Sequence, residues 1–195
     1  MPLANTTFRS LTSEDASAHV GVGAVYIDIR TVPEYLDVHV PGSICLQYEF
    51  GPGFPVRARD CIPLEVPLIL LDRPDVDMSF ATASLRGKGF AVLGVVEDGL
   101  NAWARSHGTP ASTEVYEGGS PPSGTLLDVG DPQAPAVEGA TRLSIERLWN
   151  RAPEIAQPVV IVAGRGVRAA MAVGMLERAG KSPLFFWRAG RRKRA

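Results

Sequence analysis

Residues 163–168, Ala-Gly-Arg-Gly-Val-Arg, sit between an apolar run and a helical pattern in PVVIVAGRGVRAAMAVGML, residues 158–176. Glycines let backbone N–H groups converge on one point, and a helix start adds partial positive charge. The two arginines add full charges that suit an oxyanion. Such a loop holds an anion, or lowers the pKa of a thiolate placed in it. The position where the strand hands over is Ala163, and a methyl group cannot attack anything or carry a leaving group. The candidate binding loop is therefore Gly164, Arg165, Gly166, Val167 and Arg168. The alternative is a plain strand-to-helix turn with surface arginines.

A second loop, LLDRPDVDM, carries Asp72, Asp75 and Asp77. Three carboxylates could hold a hard cation. The favoured reading is that Asp75 and Asp77 cap and charge-complement the next helix, with no metal. Cys45 and Cys61 are the only thiols and lack metal-ligand spacing. Cys45 follows an apolar segment and reads as a small filler. Cys61 stands between Asp60 and Ile62, in what reads as an exposed loop. His39 in VHVPGS reads as a turn anchor. Asp28 and Asp128 end strands and read as acceptors for loop N–H groups; Arg30 is expected to pair with Glu34 or Asp37.

The elements that must place these residues alternate. A first helix is expected over 8–20, or in shorter form from Ser13. Strands follow at 24–29, 67–71 and 90–96, with helices at 78–89 and 99–108. That order points to an α/β fold with largely parallel sheets. Residues 106–124 are rich in Gly, Pro, Ser and Thr and read as a linker.

The chain repeats itself. Displaced by 91 residues, the separation of Asp72 from Ala163, Pro67 falls on Pro158, Ala81 on Ala172, Leu85 on Leu176 and Gly89 on Gly180. Upstream, YIDIR (26–30) matches LLDVG (126–130) at a displacement of 100. The expected organisation is a first unit over 1–110, a linker over 111–123 and a shortened second unit over 124–195. The second lacks counterparts of the first helix and of the helix after Gly99.

YIDIRTVPEYLDVHVPGSI, residues 26–44, resembles the opening of rhodanese-like domains: a strand ending Asp-x-Arg, then Pro-Glu-Tyr, then His-x-Pro-Gly. The loop at 163–168 is similar to the family's Cys-x-x-Gly-x-Arg-Ser, with Gly166 and Arg168 in place, Ala163 for the cysteine and Ala169 for the serine. The resemblance implies two rhodanese-like units, each a mostly parallel sheet flanked by helices. It also implies a scaffold for sulfur transfer through a cysteine persulfide. In this chain Asp72 and Ala163 occupy the two nucleophile positions, so no residue is assigned as catalytic. The expectation is an inactive tandem protein that binds a small anion (sulfate, thiosulfate or phosphate) or a protein partner, without a cofactor. The alternative is a sulfurtransferase that uses Cys61 or Cys45.

A formal net charge of −1 over 195 residues speaks against a general nucleic-acid binder. The basic stretch RRKRA at 191–195 reads as a solubilising end. No signal-peptide pattern or membrane span is evident, and with two cysteines a cytoplasmic location is expected. The apolar run LFFW at 184–187, with no helix to close over it, raises the expectation of a homodimer.

Overall fold

The computed structural model describes residues 8–164 and 166–188. Arg165 of the binding loop, Gly190 and the basic stretch 191–195 lie outside them. The first unit comprises β1 (Ser10–Leu11), α1 (Ser13–Gly21), β2 (Val25–Asp28), α2 (Val32–Asp37), β3 (Ile44–Cys45), α3 (Gly53–Cys61), β4 (Leu68–Leu71), α4 (Met78–Arg86), β5 (Val92–Val96) and α5 (Gly99–His107). The second comprises β6 (Glu114–Glu117), β7 (Thr125–Asp128), β8 (Thr141–Arg142), α6 (Ile145–Arg151), β9 (Val159–Val162), α7 (Val167–Arg178) and β10 (Leu184–Arg188).

Each unit is a five-stranded parallel sheet, ordered β1-β5-β4-β2-β3 and β6-β10-β9-β7-β8. The two orders superimpose strand for strand, so the internal repeat is a repeat of topology. The tetrapeptides LILL and VVIV are buried at every position, as central strands covered on both faces must be. Their displacement of 91 residues is the one read from the sequence.

Local chemistry sets the helix starts. α1 begins one residue earlier than a Ser13 cap would allow, because the Thr12 hydroxyl accepts from the Asp15 N–H. Residues 8–12 are therefore not helical; Ser10 and Leu11 pair with β5 instead. Thr31 and Glu34 form a reciprocal capping box at α2. Asp77 caps α4 by accepting from the Ser79 N–H at 2.8 Å.

The segment expected to link the units, 111–123, does more than connect. Its residues Glu114–Glu117 are β6, which lies along the edge of β10. Tyr116 packs edge-on to Phe185, and the Trp187 indole N–H donates to the Gly118 carbonyl. Phe186 and Trp187 are buried, so the LFFW run is largely covered from within the chain. No helix separates β6 from β7, so α1 has no counterpart there.

The two units share one apolar core. A single buried cluster joins Ile27, Leu36 and Ile44 to Leu127, Ile145, Met171 and Leu176. Its centre is α7, whose residues Ala169 to Leu176 are all buried. A helix apolar on every side belongs in an interior, and this one packs on β9 of its own sheet and on α2 and β3 of the other. The approach to β3 is close: a Cβ at Gly174 would run into the Ser43 carbonyl oxygen and would meet the Tyr35 hydroxyl at 3.0 Å. The counterpart helix α4 lies at the periphery with Phe80 half-exposed. His39, fully buried, ties the units. Its Nδ1 faces the Tyr35 carbonyl at 2.8 Å and its Nε2 faces Glu177 at 3.1 Å, while the Gly42 N–H donates to the other Glu177 oxygen.

Candidate functional site

In parallel sheets, binding sites form beyond the carboxyl ends of the strands. In the second unit that region is a cleft of about 960 Å³, walled by α3 of the first unit and by the ends of β7 and β9 and the start of α7. Ala163, Gly164, Val167 and Arg168 of the predicted loop line it. Gly166 is the N-cap of α7 with φ of 85°, a left-handed conformation that favours glycine. A Cβ there would press on Val32 at 3.2 Å. The first-turn N–H groups of α7 have no partner within the helix, and they lie at the loop that borders the cleft.

Ala163 is 5% exposed and directly follows β9, at the position where the family resemblance leads one to expect a nucleophile. Arg168 donates to Glu146 of α6 at 3.2 Å. Across the cleft stand Arg57, Asp60 and Cys61 of α3. Cys61 is the last residue of that helix and 4% exposed, not an exposed loop residue, because the α3 register turns it inward toward the shared core. Burial, with Glu146 and Asp60 nearby, pushes its thiol up to about 12 against the opposing pull of Arg168 and Arg57. Cys45, in β3, is fully buried, and burial together with Asp28 raises its pKa further above the ordinary thiol range. Both cysteines are free thiols. Neither is a thiolate at neutral pH.

The acidic loop lies outside the cleft. Arg73 grips Asp75 through two bonds of 2.6 and 2.9 Å, and that bonding holds the Asp75 carboxyl below its ordinary range. Asp77 is occupied as the α4 cap. Asp72 follows β4; its N–H bonds to the Val96 carbonyl, and its backbone oxygen lies so close to Gly99 that a Cβ there would meet it at 2.8 Å. Among the described residues, no group of three or more His, Cys, Asp or Glu side chains is arranged to hold a metal ion.

Asp28 and Asp128 are the corresponding strand-end carboxylates. Asp28 accepts from the Arg30 N–H and from the Arg30 guanidinium, which also reaches the Val38 carbonyl. Arg30 thus pairs with Asp28, two residues away, and not with Glu34 or Asp37; Glu34 is spent on the capping box. In the second unit Gly130 stands where Arg30 would be. Asp128 keeps the backbone bond, from Gly130, and Arg142 of β8 supplies the guanidinium at 3.2 Å and reaches the Ala134 carbonyl. Sequence reasoning missed Arg142. The signal was the arginine lost at position 130, which left a strand-end carboxylate in need of a cation from elsewhere.

Among the described residues, no helix is long and apolar enough to cross a membrane. The rhodanese-like domain matches residues 12–106, the unit that carries Asp72. The chain is 30% identical over 112 residues to the thiosulfate sulfurtransferase GlpE of Stutzerimonas stutzeri, a match covering 57% of this chain and 97% of that protein. It is 28% identical over 102 residues to GlpE of Pseudomonas savastanoi pv. phaseolicola, covering 52% and 92%. Among solved structures, SseA of Escherichia coli, a 3-mercaptopyruvate sulfotransferase, aligns over 94% of this chain and 99% of its own, at 16% identity and a TM-score of 0.43. A thiosulfate sulfurtransferase of Pseudomonas aeruginosa aligns over 95% of this chain and 44% of its own, at 17% identity and a TM-score of 0.44. The Stutzerimonas stutzeri relative, 30% identical and matched over 97% of its length, shows that this chain belongs to the rhodanese-like family.

Proposed function

We propose that this protein is a non-catalytic rhodanese-like module that binds an anion in the cleft between its units, at the loop 163–168. Sulfate, thiosulfate and phosphate are the simplest candidates. One observation carries the reading: Ala163 stands at the strand end where the family presents a thiolate, while both thiols of the chain are buried, which raises their pKa values. The relatives named thiosulfate sulfurtransferases set the contrast. Sulfur transfer needs an ionised nucleophile that can hold a sulfane atom. Losing a nucleophile costs a factor of about 10³–10⁶ in turnover. The helix start and Arg168 remain, and the Arg168–Glu146 pair is about one-third exposed. Such a pair is weak, so an anion competes for that guanidinium at small cost.

A second reading is sulfur transfer through Cys61. It is favoured over Cys45 because Cys61 lines the same cleft as Ala163 and Arg168. Calorimetric titration with thiosulfate, sulfate and phosphate, beside a thiosulfate–cyanide assay for thiocyanate, separates the two. The first reading expects saturable binding, weakened severalfold in Arg168→Ala, and no thiocyanate. Thiocyanate formed by the wild type and lost in Cys61→Ser establishes the second and overturns the first.

A further inference from the structure

His39 is fully buried where the two units meet, and both of its ring nitrogens face oxygen acceptors. Nδ1 lies 2.8 Å from the Tyr35 carbonyl oxygen, and Nε2 lies 3.1 Å from Oε1 of Glu177. A neutral imidazole has one N–H, and its other nitrogen is itself an acceptor. The two contacts therefore call for two N–H groups; a ring with one sets a lone pair against a lone pair. The carboxylate is not free to turn away, because its second oxygen accepts the Gly42 N–H at 2.7 Å. Its side chain is only 17% exposed, so water does little to screen the contact. The charged groups around the pair do not replace the proton. Arg178, next along α7, lies over the Trp149 ring and donates to the Ala24 carbonyl. Lys181 donates to the Pro153 carbonyl, and Arg30 holds Asp28 and the Val38 carbonyl. On α2, the Tyr35 ring stacks on His39 and its hydroxyl donates to the Ser43 carbonyl, with Asp28 and Cys45 beyond it. From the segment before β6, Ala111 meets His39 through two backbone hydrogen bonds and carries no charge. Glu114 lines the shallow groove that Glu177 borders, and its negative charge favours a cationic ring.

We propose that the His39–Glu177 contact is a proton-operated latch between the two units. With a proton on Nε2, an ion pair joins the turn at 39–43 of the first unit to the last turn of α7. Without it, the bare nitrogen and the carboxylate oxygen repel, and this edge of the interface loosens. The direction follows from proton counting. An unfolded histidine gives up its proton near pH 6.5 and an unfolded glutamate near 4.3, as ordinary side chains do. Just above pH 6.5 the latched state binds one proton more than the unfolded chain, so stability falls as pH rises until the latch lets go. Between those two values the contribution of the latch is fully present.

Glu177→Gln tests this without removing the contact. The glutamine carbonyl accepts the Gly42 N–H and its amide donates to a bare Nε2, so the bridge then needs no proton. Urea unfolding of the full chain is compared for wild type and variant between pH 5.5 and 8.5. Relative to the variant, the wild-type ratio of folded to unfolded protein is expected to fall roughly tenfold or more between pH 6.5 and 8.5, with a limiting slope of about tenfold per pH unit. His19, His107, Cys45 and Cys61 are present in both proteins and contribute equally. Parallel profiles overturn the proposal. Where the variant does not fold, NMR of wild-type protein labelled with ¹⁵N in its histidines decides. His39 should show two exchange-protected ring N–H groups at pH 5.5. Loss of the Nε2 proton at higher pH should bring a tenfold or greater fall in the protection factor of the Gly42 amide. A single ring N–H at pH 5.5, two that persist to pH 9.5, or a Gly42 amide that stays protected after Nε2 is bare would each overturn it.

Discussion

Ala163→Cys puts a thiol where the scaffold is built to hold one. The new side chain directly follows β9, faces the cleft and sits before a twelve-residue helix whose N-cap is Gly166. Thiols at helix starts beside arginine have pKa values of roughly 3.5–7.5. The resident Cys61 titrates at about 12 and Cys45 higher still. At pH 7 the thiolate populations of the new thiol and Cys61 differ by roughly 10⁵. A Brønsted coefficient of about 0.4–0.5 lowers the intrinsic nucleophilicity of the more acidic thiolate by roughly 10²–10⁴ over that range. The net preference for alkylation at 163 is therefore roughly 10-fold to a few hundred-fold, before the slower access to buried thiols is added. Iodoacetamide labelling followed by peptide mass spectrometry, repeated between pH 5 and 9, reads both the site and its pKa. Labelling confined to residue 163 with a midpoint below 7.5 is expected. A midpoint at or above the ordinary 8.5 would refute the idea that the loop is still organised as a cradle.

Three further outcomes follow from the packing. Gly174→Ala drives a methyl into the Ser43 carbonyl. Backbone cannot yield as a side chain can, so a loss of about 3 kcal/mol is expected, seen as a fall of roughly 6–12 °C in the unfolding midpoint; an unchanged midpoint would mean α7 does not lie on β3. Asp77→Ala removes the α4 cap and should cost about 1 kcal/mol by denaturant titration, with no change in anion binding; an effect on binding would return the acidic loop to the site. Stability should also decline at alkaline pH. Cys61 keeps its proton in the folded state up to about 12, whereas an unhindered thiol loses it near 9.0. Above that lower value the folded state binds more protons than the unfolded, so stability falls as pH rises. Cys61→Ala, compared with wild type between pH 8 and 11, should flatten that decline; an identical slope would contradict the burial of this thiol.

What was legible in the sequence was what repeats or what is local. LILL and VVIV are continuous apolar runs, and their displacement carries β4 onto β9 and α4 onto α7. The starts of α4 and α5 were legible to the residue; α1 was legible only in its shorter form, with Thr12 and not Ser13 as its cap, and the short helices α2, α3 and α6 were not read from the sequence. The two-residue strands β1, β3 and β8 have no pattern of their own and exist only through long-range pairing. β6 was hidden in a polar, Gly- and Pro-rich stretch, since an edge strand with half-exposed residues carries a weak signal. Ala163 and Arg168 line one cleft, but Val167 and Arg168 form the first turn of α7, so the segment read as a loop ends at its cap, Gly166. The opposite wall was not visible: Arg57 and Cys61 reach the cleft only because α7 draws the units together. Arg142 takes the place of Arg30 from a different strand, which no fixed spacing reveals.

The most direct measurement is intact-protein mass spectrometry after incubation with excess thiosulfate, with the thiols then mapped by peptide. If the scaffold has lost its reactive atom, the mass stays unchanged and subsequent cyanide yields no thiocyanate. A gain of one sulfur atom on Cys61 or Cys45, discharged by cyanide, would contradict the account at its root.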